Sequence, residues 1–89
     1  MKMYQLYILK CKDGTLYTGV TTDVARRVRE HNSSNLGAKY TRPRRPVTLV
    51  YSKRFKNRST ASRAEARVKQ MPREEKLTLV RIGNSKQIR

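Results

Sequence analysis

The chain has 89 residues, and 22 lysines and arginines against six acidic residues give it a net charge of +16. This length is enough for one small domain, and a protein of this charge attracts polyanions such as nucleic-acid backbones. One cysteine and one histidine exclude a disulfide within the chain and a zinc site built from Cys and His, and six carboxylates argue against a nuclease that uses two metals.

An antiparallel hairpin is predicted at the start of the chain. Residues 4–10 are rich in aromatic and β-branched types, Asp13-Gly14 is typical of a hairpin turn, and residues 16–20 form the returning strand. Gly19 lies inside the second strand, which indicates a bulge or the close approach of another group.

The middle of the chain predicts a helix, a loop and a strand. Asp23 is typical of an N-cap and begins a helix over about residues 24–31, which ends at the polar run 32–35. Residues 36–45 are basic and loop-like with a short helical turn, and residues 47–55 alternate as a third strand.

Two further helices complete the predicted order. Ser59 or Thr60 caps the first, which extends to about Gln70. Pro72 is placed at the start of the second, and Gly83 is placed at its end.

The order ββαβαα predicts an α+β fold, a small three-stranded antiparallel sheet flanked by helices. We expect one domain over residues 1–82 and a flexible basic tail over residues 83–89. No stretch of the sequence is long and apolar enough to span a membrane, so a cytoplasmic location is expected.

Two basic side chains lie together on the first predicted helix. At about 100° per residue, Val24 and Val28 mark the buried direction, and Arg27 and His31 lie beside it, one turn apart. They either extend past the core as half-buried basic residues, or form a site in which the arginine binds phosphate and the histidine handles a proton or the same anion.

Glu65 differs from the other five carboxylates, which fit turns, caps and ion pairs. It lies at the border of the apolar stripe of its helix. Its side chain either pairs with Lys69 one turn later or binds a divalent metal ion, with water and phosphate oxygens completing the coordination.

Five of the six aromatic residues are tyrosines. Tyr7 and Tyr17 lie on the two arms of the predicted hairpin, so we expect their hydroxyls to converge. Tyrosines fill strands or stack on bases, and a hydroxyl near arginine or lysine can also ionise more easily and act as a base.

These residues resemble the motifs of the GIY-YIG nuclease superfamily, especially its small stand-alone bacterial members. The two name-giving motifs appear as residues 5–7 (QLY) and 17–19 (YTG). Residues 21–32 are similar to the helix that carries the family's arginine, and residues 62–70 to the helix that carries its glutamate. The likeness extends from Tyr4 to about Ile82.

The resemblance implies hydrolysis of DNA phosphodiester bonds with one metal ion, possible roles being DNA repair and recombination. It places Tyr7 or Tyr17 as the general base, Arg27 beside the transition-state charge, Glu65 as the ligand of Mg²⁺ or Mn²⁺, and His31 as a group that handles a proton or the phosphate.

A basic surface is expected to hold the nucleic acid, and its alternative interpretation is a solvated loop. Its predicted contacts are Gly19, Lys39, Tyr40, Arg42, Arg44, Arg45, Lys53 and Arg54. Two rival functions remain open, a non-catalytic nucleic-acid-binding module and a structural component of a ribonucleoprotein. Because a chain of this charge repels itself, a monomer is expected.

Overall fold

A computed structural model describes residues 3–33 and 36–88, the last five of them by their backbone alone. The elements are β1 (Tyr4–Lys10), β2 (Leu16–Thr21), α1 (Val24–Ser33), a 3₁₀ turn (Arg42–Arg44), β3 (Thr48–Phe55), α2 (Arg58–Gln70) and α3 (Arg73–Ile88). They form one antiparallel sheet in the order β2-β1-β3, with helices packed on it. The predicted α+β class is confirmed.

The central strand β1 is covered on both faces. Tyr7 and Leu9 pack with Val24 of α1 on one face, whereas Leu6 and Ile8 pack against α2 and α3 on the other. Burying an aliphatic side chain of this size stabilises a fold by about 1.5–3 kcal/mol, so these alternating positions hold the helices on the sheet. Helix α1 therefore lies on the face to which Tyr7 points.

The hairpin forms as predicted, with β1 and β2 paired antiparallel. Tyr7 lies opposite Gly19, and Leu9 lies opposite Tyr17, so the two tyrosines are diagonal neighbours on one face. The turn is held by Asp13, whose Oδ1 accepts hydrogen bonds from the amide and the hydroxyl of Thr15 at 3.1 and 2.6 Å.

Two helix boundaries differ from the prediction. Asn57 caps α2, because its side chain accepts from the amide of Thr60 at 2.9 Å, so the expected cap at Ser59 or Thr60 is wrong. Helix α3 continues past Gly83 to Ile88. A Cβ at Gly83 would lie 2.7 Å from the ring of Tyr51, so this glycine permits a close approach of α3 to β3 and does not end the helix.

Helix α1 reaches Ser33, two residues beyond the expected end, and residues 34 and 35 of the predicted terminating run lie outside the described residues. The flexibility expected for residues 83–89 stays a prediction, and Arg89 is also outside the described part. Within the described residues, no helix is both long enough and apolar enough to cross a bilayer.

Candidate active site

Tyr7 lies at the centre of the tyrosine cluster. Its side chain is 1% exposed, and its ring passes directly over Gly19. A Cβ at Gly19 would come within 2.5 Å of the Tyr7 hydroxyl, so only glycine leaves room for this ring. The close approach predicted at Gly19 is therefore that of Tyr7, while a contact of Gly19 with nucleic acid stays a prediction.

His31 is fully buried beside Tyr7. Its Nε2 lies 3.0 Å from the Tyr7 hydroxyl, and its Nδ1 lies 2.8 Å from the hydroxyl of Thr41. The interpretation of His31 as a half-buried basic side chain is wrong, because its side chain is completely buried. The two hydrogen bonds satisfy both ring nitrogens, which allows an uncharged ring to be enclosed in this way. Burial first, and then the charge of Arg27, lower the pKa of His31 to about 4, so the ring is neutral at pH 7.

The hydrogen bonds of Thr41 indicate which ring nitrogen of His31 carries the proton. The Thr41 hydroxyl donates to the carbonyl of Ala38 at 3.0 Å, so it accepts from Nδ1 of His31. The amide of Ala38 also points at Nδ1, but at 3.5 Å, and the two shorter contacts decide the assignment. Nε2 is then the acceptor for the proton of Tyr7.

Thr41 is a site residue that the sequence analysis missed. It is completely buried and lies in the loop between α1 and β3, ten positions from the histidine it contacts. Helical and strand periodicity carry no information about such a contact. The only local signal is a threonine inside a basic loop, next to Tyr40.

Burial dominates the acidity of Tyr7. Desolvation raises the pKa of its hydroxyl, and hydrogen bonding to the neighbouring Arg27 guanidinium opposes this rise only in part. The expectation that a nearby cation makes the hydroxyl ionise more easily therefore fails for Tyr7. A proton can leave this hydroxyl only towards a partner, and Nε2 of His31 is in place to accept it.

Arg27 extends from α1 towards the cluster and is only partly exposed. Its Nη1 donates to a carboxylate oxygen of Glu30 at 2.8 Å and to the carbonyl of Leu36 at 2.6 Å. Its charge also acts on Tyr7 and His31. The structure thus brings Arg27 together with Tyr7 and His31, as the family resemblance implied.

Tyr17 and Tyr40 form an outer wall next to this buried centre. The Tyr17 ring lies 5.2 Å from the His31 ring and stacks on Tyr40 at 6.0 Å. The guanidinium of Arg44 lies 4.1 Å above the Tyr40 ring and pairs with Asp13 at 3.1 Å. A stack held by cation–π and ion-pair contacts therefore fixes the orientation of Tyr17.

Glu65 lies on α2, which packs on the other face of the sheet. Its charge raises the pKa of Tyr7 as the last of the contributions to that pKa, and Tyr17 and Arg27 also act on the same hydroxyl. The Glu65 side chain is 24% exposed and also pairs with Lys69 at 3.0 Å, so the ion pair exists as predicted.

Glu65 offers one carboxylate, so a divalent ion held there would have to be largely hydrated. Among the described residues, no three His, Cys, Asp or Glu side chains converge to hold a metal. Mg²⁺ commonly binds through one or two carboxylates and keeps water and substrate phosphates as its other ligands, so a single carboxylate suffices. The Lys69 side chain is 53% exposed, and an exposed ion pair of this kind is weak and can be displaced.

The predicted nucleic-acid contacts fall into three groups. Lys39 and Arg42 are exposed in the loop that carries Tyr40. Arg45 instead donates from its Nε to the carbonyl of His31, which ties the end of α1 to the loop. Lys53 pairs with Leu6 in the sheet and so lies on the face opposite the tyrosine cluster, and Arg54 follows it near the end of β3.

Comparison with known proteins agrees with this geometry. Residues 3–78 match the model of the GIY-YIG catalytic domain. The chain belongs to the GIY-YIG family. The predicted resemblance is therefore confirmed, and the family is one of nucleases.

Two relatives match most of the chain. UPF0213 protein DP2720 of Desulfotalea psychrophila is 57% identical over 88% of this chain and 71% of its own length. UPF0213 protein SAG0778 of Streptococcus agalactiae is 52% identical over 92% of each chain. These names state no activity, so the relatives do not identify a reaction.

Two solved structures share the fold. The solution structure of UPF0213 protein BH0048 from Bacillus halodurans is 48% identical and superposes with a TM-score of 0.59 over 90% of this chain and 84% of that one. That of protein EF2693 from E. faecalis is 43% identical, with a TM-score of 0.63 over 92% of this chain and 86% of that one.

Proposed function

We propose that this protein is an endonuclease that hydrolyses DNA phosphodiester bonds with one divalent ion, Mg²⁺ or Mn²⁺. One observation carries the proposal. The Tyr7 hydroxyl is hydrogen-bonded to a neutral histidine and lies within the electrostatic reach of both Arg27 and Glu65. In the proposed reaction, such a set would supply a base, a cation for transition-state charge and a metal ligand.

The Tyr7–His31 pair serves as the general base. Tyr7 takes a proton from the attacking water while its own proton passes to Nε2 of His31, so the buried hydroxyl never carries a full negative charge. As the bond from phosphorus to the leaving oxygen breaks, the proton held by His31 is released to solvent and the leaving oxygen takes one up, so the imidazole returns to its neutral form. Thr41 keeps Nε2 unprotonated and able to receive this proton, because the Thr41 hydroxyl accepts the hydrogen bond that the protonated Nδ1 donates. Tyr17, at the outer side of the pair, positions the water or the phosphate.

Arg27 and Glu65 bind opposite charges in this scheme. The guanidinium of Arg27 neutralises the negative charge that builds up on the phosphoryl oxygens. Glu65 would hold the metal ion, which, when bound, stabilises negative charge on the phosphate and the leaving oxygen. One carboxylate is enough for this chemistry, which agrees with the few acidic residues of the chain.

The alternative is a nucleic-acid-binding module without catalysis. The observation that favours it is that both charged groups already form ion pairs. Arg27 pairs with Glu30 at 2.8 Å, and Glu65 pairs with Lys69 at 3.0 Å. Hydrolysis requires substrate and metal to replace or share these partners.

A cleavage assay separates the two functions. Linear, nicked and branched DNA are incubated with the protein and Mg²⁺ or Mn²⁺, and Glu65→Gln and Arg27→Ala are compared with Glu74→Gln, which changes an exposed carboxylate on α3. We expect the first two variants to lose cleavage while they still bind DNA, and the third to keep it. Absence of cleavage by the wild type on every substrate, or equal cleavage by all variants, would establish the binding module instead.

We also propose a cytoplasmic location, a monomeric state and a role in DNA repair or recombination. They follow from composition, charge and resemblance.

A further inference from the structure

A second basic surface lies away from the tyrosine cluster. A groove of about 570 Å³ runs between the end of β3 and helix α2, and its wall contains Phe55 and five cationic side chains, Lys53, Arg54, Lys56, Arg63 and Arg67. All five cationic residues are exposed. Like charges brought this close repel one another, so the groove is a region of strong positive potential.

The groove holds its charge without an acidic partner. In the described part of the chain, ion pairs to carboxylates involve other basic residues, and none of the five groove cations has one. Lys53 contacts the ring of Phe55, with its Nζ 5.6 Å from the ring centre. The groove cations are therefore available to an external anion.

The groove and Glu65 lie on opposite sides of α2. At 100° per residue, Arg63 and Arg67 are each about 160° around the helix from Glu65. The buried stripe Ala61, Ala64 and Val68 separates them. In the sheet, β3 and β2 are the two opposite edges, with β1 between them. A nucleic-acid segment in the groove is thus different from the one that reaches Glu65.

The lining of the groove favours a phosphate backbone over a protein surface. Protein interfaces have an apolar centre that is depleted of charge. The exposed large hydrophobic residues among those described lie elsewhere, at Met3, Leu36, Tyr40, Leu49, Leu77 and Ile82. Several cations spread along a groove instead match the repeating charge of a nucleic-acid backbone.

We propose that the groove between β3 and α2 is a second binding surface for a nucleic-acid backbone, which holds a segment other than the one at the tyrosine site. The choice of nucleic acid as ligand rests on the proposed function, but the groove itself does not depend on catalysis. A substrate with two segments in reach, such as a junction or a strand that folds back, would occupy both surfaces.

A titration with a short oligonucleotide tests whether there are two surfaces. A two-nucleotide phosphorothioate strand, chosen for its short length, is added without metal while the amide resonances of the 89-residue chain are followed by NMR. We expect two sets of shifts, one around Tyr17 and Tyr40 and one over residues 53–67, with saturation near two strands per protein. If only the first set shifts at saturation, the proposal is wrong.

A matched pair of double variants tests the contribution of the groove to duplex binding. Arg63→Ala/Arg67→Ala removes two exposed groove cations, and Arg29→Ala/Arg81→Ala removes two exposed helical arginines elsewhere. Each lost phosphate contact reduces the steepness of the plot of log K against log salt by about 0.9. We therefore expect the slope of the groove variant to become less steep by up to about 2, and that of the control to change much less.

Equal slopes for the two double variants would overturn the proposal, as would a groove that binds only an acidic protein. Both binding measurements are made without metal, so their outcome is independent of the cleavage assay. If cleavage is absent while the groove still binds, the proposed function fails and the second surface stands.

Discussion

The buried histidine makes a quantitative prediction about acid stability. His31 is the only histidine of the chain and is completely enclosed, with both ring nitrogens in hydrogen bonds. Protonation would place a charge in this interior and would convert Nε2 from an acceptor into a donor. The folded state therefore resists protonation, whereas the unfolded chain accepts the proton at an ordinary pKa.

The size of the effect follows from the two pKa values. The folded pKa of His31 is about 4 and the ordinary value is 6.5. Since the unfolded state binds more protons between these values, the free energy of unfolding falls as the pH drops from 6.5 to 4, by about 3 kcal/mol in total and by at most about 1.4 kcal/mol per pH unit. The slope is about half of its maximum at pH 6.5 and vanishes above about pH 7.5.

Urea unfolding followed by circular dichroism at pH values from 7.5 to 4 measures this dependence. His31→Gln is the control, because glutamine keeps hydrogen-bonding atoms and does not titrate. We expect its stability to be lower throughout and nearly flat over this range. Asp13 adds a loss of its own near the acid end of this range, because hydrogen bonds from Thr15 lower the pKa of its carboxylate in the folded protein while the unfolded carboxylate accepts protons at its ordinary pKa. His31→Gln retains this contribution, so the difference between the wild type and the variant reports the histidine alone.

A wild-type protein whose stability is constant between pH 6.5 and 4 would refute this reasoning about burial. The same slope in His31→Gln would show that another group causes the loss. NMR titration of the imidazole provides a direct check, because a ring that protonates near pH 6.5 in the folded protein contradicts the enclosed, neutral histidine.

Three further substitutions test other parts of the structure. Gly19→Ala forces a Cβ against the Tyr7 hydroxyl and should lower the free energy of unfolding by about 1–3 kcal/mol in urea; no loss would mean that the ring does not lie over the glycine. Lys69→Met releases the Glu65 carboxylate, so half-maximal cleavage should need less metal, with stability changed by less than about 1 kcal/mol; an unchanged metal requirement would separate Glu65 from the metal. Asn57→Ala removes the cap of α2 and should cost about 1 kcal/mol in thermal unfolding, whereas an unaltered midpoint would contradict the cap.

The fold was predictable where local signals and tertiary contacts agree. Asp13-Gly14 makes the turn and Asp23 caps α1, where its Oδ1 accepts from the amide of Arg26 at 3.0 Å. Prediction failed where neighbours compete. Asn57 precedes two other residues able to cap, and Gly83 is a good helix terminator whose role is decided by the ring of Tyr51.

The sequence predicted most of the residues of the candidate site, but it did not predict the protonation states of those residues. Helical spacing placed Arg27 and His31 together, and resemblance singled out Glu65. Sequence could not give the extent of burial, which reverses the expected acidity of Tyr7 and makes His31 neutral. It also could not give Thr41, whose contact is made across a loop.

The distribution of the six acidic residues links the two binding surfaces to the proposed chemistry. Asp13 pairs with Arg44, Glu30 pairs with arginines of its own helix, and the remaining acids outside the site lie at helix starts, so each is compensated locally. Glu65 is the only carboxylate that acts on Tyr7, in a chain of net charge +16. One carboxylate in so positive a field attracts a divalent cation weakly, and the phosphate oxygens of the substrate would supply the missing negative charge. In the proposed reaction, substrate and metal therefore bind in support of each other, and a groove that retains nucleic acid nearby also favours the metal-bound state.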